Sequence, residues 1–98
     1  MASVSLSTHV LDTERGCPAA GVRVELYDAW GSLLADSETD ADGRVRELAE
    51  TSPGTYRLVF YPPSPFFRKV ELELELGEGH HHVPLLVSSY ACASYRGS

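Results

Sequence analysis

Val4, Leu6, Thr8 and Val10 alternate with Ser5, Ser7 and His9 at the start of the chain. A period of two marks a strand with one buried and one polar face, and it puts His9 on the polar side. The same alternation returns at Val22, Val24 and Leu26 against Arg23, Glu25 and Tyr27, and at Tyr56, Leu58 and Phe60 against Arg57, Val59 and Tyr61. It is strictest from Phe67 to Leu76, where Val70, Leu72, Leu74 and Leu76 face inward and Lys69, Glu71, Glu73 and Glu75 outward. Those glutamates also suppress edge-to-edge aggregation of a strongly β-prone stretch. Shorter strands are expected over Ser32 to Asp36, after Gly43, along the histidine run and over Tyr90 to Tyr95.

Turn-forming residues separate these runs. Asp12 to Gly21, Ser52-Pro53-Gly54, Pro62 to Pro65 and Gly77-Glu78-Gly79 each break the pattern. Asp42-Gly43 is the strongest short hairpin signal in the chain and makes Arg44 the first residue beyond a tight turn. Asp28 to Leu34 and Arg46 to Thr51 are too short for stable helices. The pattern predicts an all-β fold, an antiparallel β-sandwich of seven or eight short strands.

The end of the chain adds chemistry to this scaffold. In His80-His81-His82-Val83-Pro84-Leu85-Leu86-Val87, strand alternation puts His80 and His82 on one face and His81, Val83, Leu85 and Val87 on the other. One face can pack while the other meets a ligand. Asp40 and Asp42 resemble a fragment of a calcium loop, but too few oxygen ligands follow, so a turn is expected.

Composition narrows the classes. A length of 98 residues suits one domain spanning 1–98. No apolar run approaches the roughly 18 residues that cross a bilayer. A net charge of -6 with eight scattered basic residues argues against nucleic acid, and any anionic ligand then needs a local cationic pocket. Cys17 and Cys92 form no CxxC pair and are expected to be reduced thiols. Met1-Ala2-Ser3-Val4 has neither the basic start nor the apolar segment of a secretory signal, so an intracellular, cytoplasmic protein is expected.

The middle of the chain, from GCPAAGVRVELYD through TDADGRVREL to SPGTYRLVF, resembles the prealbumin-like sandwich in general. The two ends are more specific. LSTHVLDTERGCPAAGV, the GRV after TDADG, and HHHVPLLVSSYACASYRGS resemble the transthyretin-like 5-hydroxyisourate hydrolases of urate degradation, with YRGS the most diagnostic motif. The resemblance implies a prealbumin-like fold and hydrolysis of 5-hydroxyisourate to 2-oxo-4-hydroxy-4-carboxy-5-ureidoimidazoline, without cofactor or metal. It also implies a homotetramer, a dimer of dimers joined edge to edge and then face to face, with the polar faces carrying His9 and His82 meeting across the contact.

Carried over residue by residue, the family's catalytic set falls on His9, Arg44, His82 and Ser98, with Tyr95, Arg96 and Gly97 as the substrate-binding wall. The hormone-carrier branch lacks these histidines and the YRGS ending. Relatives usually read HYHVPLLLSPYGYSTYRGS, so His81, Ser89 and Ala91-Cys92-Ala93-Ser94 depart from the pattern at positions outside the motif. Tyr61 to Phe67 replaces a longer segment with a short helix.

The residue types suit the implied reaction. Ring-opening hydrolysis needs an activated water and a donor for the developing oxyanion. A histidine near neutral pH can accept the proton, so either His9 or His82 can be the base. Arg44 offers a planar fork of donors that lysine lacks. No GxSxG elbow surrounds Ser98, which suits positioning rather than nucleophilic attack. On local pattern alone, His9 reads as a solvent-facing strand residue, Arg44 as a turn residue and His80 as support. His9, His80 and His82 also have the number for an open zinc site, although the resemblance gives them metal-free work. The alternative function is a non-catalytic prealbumin-like module that holds an anionic planar ligand.

Overall fold

The computed structural model describes residues 3–97. Nine strands follow in order: β1 (Val4–Asp12), β2 (Cys17–Pro18), β3 (Arg23–Asp28), β4 (Leu33–Glu38), β5 (Arg44–Thr51), β6 (Gly54–Tyr61), β7 (Val70–Leu76), β8 (Gly79–Val87) and β9 (Cys92–Ser94). They form two sheets with a shared core and, among the described residues, no helix. One sheet runs β4-β3-β6-β7, antiparallel throughout. In the other, β1 is central: β8 and then β9 lie on one side, while β5 and β2 share the other.

The core is built by the alternation. Val4, Leu6 and Val10 of β1, Val24 and Leu26 of β3, Leu58 and Phe60 of β6 and Leu85 and Val87 of β8 are all at most 1% exposed. Burying each such side chain contributes roughly 1.5–3 kcal/mol. Thr8 lies among them at 1% exposure because its hydroxyl donates to the Val83 carbonyl oxygen at 2.6 Å. This satisfies a polar group that would otherwise be costly to bury.

Besides the strand count, which is nine rather than seven or eight, two features differ from the sequence expectation. The sandwich is antiparallel except where it matters most, since β1 and β8 run parallel from Val4↔Gly79 to Asp12↔Val87. Alternation reports which face is buried but not which way a neighbour runs, and here the whole of the other sheet intervenes between the two strands.

The Asp42-Gly43 turn is not a hairpin, because β4 and β5 belong to different sheets. It crosses the sandwich edge and docks on β1, where the Val10 N–H donates to the Gly43 carbonyl at 2.7 Å. Gly43 has φ +74°, and a Cβ there would stand 2.4 Å from the Val10 oxygen. The glycine therefore serves the close approach as well as the turn.

The shortened Pro62–Lys69 connection has its own closure. The Ser64 hydroxyl accepts from the Phe66 and Phe67 N–H groups and donates to the Ser89 carbonyl at 2.8 Å, tying this loop to the turn before β9.

Candidate active site

Because β1 and β8 are parallel neighbours, the outer faces of the two chain ends meet. Ser5 lies opposite His80, Ser7 opposite His82, and on the other side of β1, Arg44 lies opposite His9. The His9 and His82 rings are 6.5 Å apart between centroids, tilted by 46°. A hollow of about 160 Å³ lined by Ser7, Thr8, Arg44, Arg46 and His82 opens beside them. A β-bulge sets Arg46-Glu47-Leu48 against the single residue Ser7. Leu48 stays in the core while Arg44 and Arg46 reach the outer surface.

Each histidine is held differently. The His9 Nε2–H donates to the Asp42 carbonyl at 2.8 Å, since a carbonyl can only accept. In the neutral ring this leaves Nδ1 as an acceptor. The turn that fixes Arg44 thus also sets the His9 tautomer. His82 Nδ1 lies 2.8 Å from the Ser7 hydroxyl, so its other nitrogen is not used by this bond. Burial, followed by the proximity of His9, Arg44 and His80, lowers the His82 pKa below its usual 6.5. It is consequently neutral near pH 7, the form that accepts a proton.

Arg44 makes no ion pair and no side-chain hydrogen bond with a described residue.

The tail reaches the same place within one chain. Gly97 forms a β-bridge with His82, its N–H donating to the His82 carbonyl at 2.7 Å. A Cβ on Gly97 would lie 2.7 Å from His82 Cδ2, so only glycine fits this approach. Tyr95 and Arg96 are placed elsewhere: with Leu72, Leu74 and His81 they line a cleft of about 420 Å³ between the β7 edge and the tail. Glu71, Glu73 and Glu75 also line that cleft, so it repels an anion despite its size. Ser98 lies outside the described residues.

Of the residues that the resemblance implies, the fold brings His9, Arg44, His82 and Gly97 together. The sequence did not single out Ser7, although Ser7 shares a strand face with His9. His80 is exposed on the site face, whereas His81 points along the inner face and donates from Nε2 to the Gly77 carbonyl at 2.8 Å. Among the described residues, no three His, Cys, Asp or Glu side chains group to hold a metal ion.

Comparisons with known proteins bear on the family and the fold. Residues 6–97 match the HIUase/Transthyretin family. The 5-hydroxyisourate hydrolase of Pseudomonas aeruginosa is 38% identical over 114 positions, covering 95% of this chain and 90% of that protein. An alignment longer than these 98 residues means that the relative carries residues absent here. The structure of Klebsiella pneumoniae 5-hydroxyisourate hydrolase superposes with a TM-score of 0.88 at 34% identity, covering 97% of this chain and 99% of that one. Sea bream transthyretin in complex with thyroxine gives 0.84 at 25% identity, covering 94% and 93%. A match across nearly the whole chain, joined to the shared sandwich, places this protein in the HIUase/Transthyretin family.

Proposed function

We infer that this protein is a 5-hydroxyisourate hydrolase of urate degradation, opening the substrate ring with water to give 2-oxo-4-hydroxy-4-carboxy-5-ureidoimidazoline. The observation that carries the mechanism is the convergence, on one sheet face, of two imidazoles and a guanidinium that has no carboxylate partner among the described residues. The anionic substrate docks on Arg44, whose fork of donors meets the oxygen where charge develops. His82, neutral at pH 7, takes a proton from water as the water oxygen attacks the ring carbonyl. The ring C–N bond then breaks and the nitrogen receives the proton. His9 holds the water or substrate from the opposite side through Nδ1. Gly97 closes the site against His82, Ser98 positions substrate or water, and Tyr95 and Arg96 anchor that closure from the neighbouring cleft.

The working assembly in this reading is a homotetramer. The exposed edge of β7 and the half-buried Leu72 and Leu74 beside it favour edge-to-edge pairing, and the histidine faces of two such dimers then enclose the site. Light scattering on the purified protein should give four times the chain mass. The catalytic test is the decay of freshly generated 5-hydroxyisourate with wild type beside His9→Ala and His82→Ala. Wild type should accelerate it and both variants should lose most of that acceleration. Decay no faster than in buffer would defeat the reading.

A further inference from the structure

Three hydrogen bonds on the site face form a continuous line. The Ser7 Oγ lies 2.8 Å from His82 Nδ1 and 2.9 Å from His80 Nε2, and the Ser5 Oγ lies 2.7 Å from His80 Nδ1. A hydroxyl carries one proton, so Ser7 must donate to one ring and accept from the other. The line therefore runs in one of two directions, and the neutral rings share a tautomer in each. With both carrying hydrogen on Nδ1, His82 donates to Ser7, Ser7 to His80 and His80 to Ser5, and His82 Nε2 is bare. With both carrying it on Nε2, every bond reverses and His82 Nε2–H is a donor.

We propose that Ser7 and His80 are a proton relay for His82, moving the positive charge of the reaction from the closed side of the site to its open side. The role rests on the hydrolase reading above. When His82 Nε2 takes the proton of the attacking water, His82 passes its Nδ1 proton to Ser7. Ser7 passes its own to His80 Nε2. His82 is then neutral with a proton on Nε2, ready for the leaving ring nitrogen, and the charge sits on His80. As His82 gives up that proton, the line runs back from His80 through Ser7 to His82 Nδ1 and restores the starting state. The water proton ends on the leaving nitrogen and none is gained or lost.

The surroundings favour the move. His82 is faced by His9 of β1, by Arg44 and Arg46 of β5 and by Gly97 of the tail, and none of these welcomes an imidazolium. His80 is exposed and opens on a hollow of about 520 Å³ lined also by Glu47 and Glu50, with Arg46 the one cation there. Glu50 pairs across the strands with Ser5, which in turn faces His80. Two strand positions, about 7 Å, separate the two histidines along β8. That distance takes the charge away from Arg44 and toward carboxylates.

Ser7 and His80 act through His82, so the test must separate relaying from mere support. His80→Gln can still hydrogen-bond Ser7 but cannot gain and lose a ring proton. It should lower kcat about tenfold with KM within twofold, part of the hundred- to ten-thousand-fold that a placed acid or base supplies. His80→Ala should lose as much and recover as free imidazole is added. His80 is exposed, so neither change threatens the fold; Ser7→Ala should match them. Histidine ¹⁵N NMR on wild type at pH 8 should show the Nδ1–H tautomer at both His80 and His82. The Nε2–H tautomer at either ring, or a His80→Gln enzyme as fast as wild type, would overturn the relay and leave the hydrolase reading intact. A loss that imidazole does not restore would reduce His80 to support. Wild type no faster than buffer would instead overturn the hydrolase reading itself.

Discussion

The two outer faces of this sandwich handle charge in opposite ways. On the β4-β3-β6-β7 sheet, Arg23 pairs with Glu25 at 2.9 Å and Asp36 at 3.2 Å, while Arg57 and Lys69 share Glu71 at 3.7 and 3.3 Å. Arg23 also stacks 5.4 Å from the Tyr61 ring centroid, and Arg57 4.8 Å from that of Tyr27. Between these stacks Val59 and Glu25 are buried, although simple alternation puts both on the solvent side. On the β1-β8 face, neither Arg44 nor His9, His80 or His82 has an ion-pair partner among the described residues. Arg46 on that face does pair with Asp42, at 3.7 Å, so the contrast rests on Arg44 and the histidines beside it. In a protein of net charge -6, that second face is the local exception an anionic substrate requires.

The comparison breaks first at Arg44. Arg44→Ala should reduce kcat/KM by about a hundred- to a thousandfold, as loss of an oxyanion donor does, with the folded structure kept. Arg44→Lys should recover little, because the charge returns without the fork. Steady-state kinetics and circular dichroism read the two effects separately.

The opposite result is expected on the matched face. Glu25 accepts from Arg23 and, at 2.7 Å, from the Tyr61 hydroxyl while 3% exposed. Glu25→Gln turns one buried acceptor into a donor and should destabilise the fold by about 1–3 kcal/mol in urea unfolding. The rate of the folded fraction should stay within twofold of wild type.

A smaller effect is expected at Gly97. Alanine there must push the tail off His82, and kcat should fall about tenfold, the equivalent of roughly 1.4 kcal/mol. The melting temperature should barely move, because the tail adds little to the core. Least of all should come from Lys69→Ala, whose exposed pair with Glu71 contributes about 0–1 kcal/mol.

The sequence showed faces better than neighbours. Alternation in Val4–Val10 and in His80–Val87 put His9 and the pair His80/His82 on polar sides, and those sides are where the structure has them. That β1 and β8 lie side by side and parallel is a long-range pairing that no local period encodes; the resemblance at the two ends implied only that His9 and His82 meet, and across a subunit contact. Asp42-Gly43 misled as a hairpin because the same dipeptide meets a different demand, the close approach to Val10. Ser7 was passed over because serine on a polar strand face is ordinary until a histidine stands on each side of its hydroxyl. Glu25 and Val59 are buried by long side chains folded over them, which a pattern of polar and apolar letters does not reveal.

The central claim is that His82, neutral beside Arg44, is the base. The direct measurement is kcat/KM for 5-hydroxyisourate against pH, in wild type and in His82→Ala. Protonation of His82 removes the base, so the rate must fall as pH drops through its pKa, and that pKa is lowered from the usual 6.5. Wild type should therefore hold its rate at pH 6.5 and lose it only below, while His82→Ala shows a low rate without that limb. A wild-type limb centred above pH 6.5, or an identical limb in His82→Ala, would contradict the account.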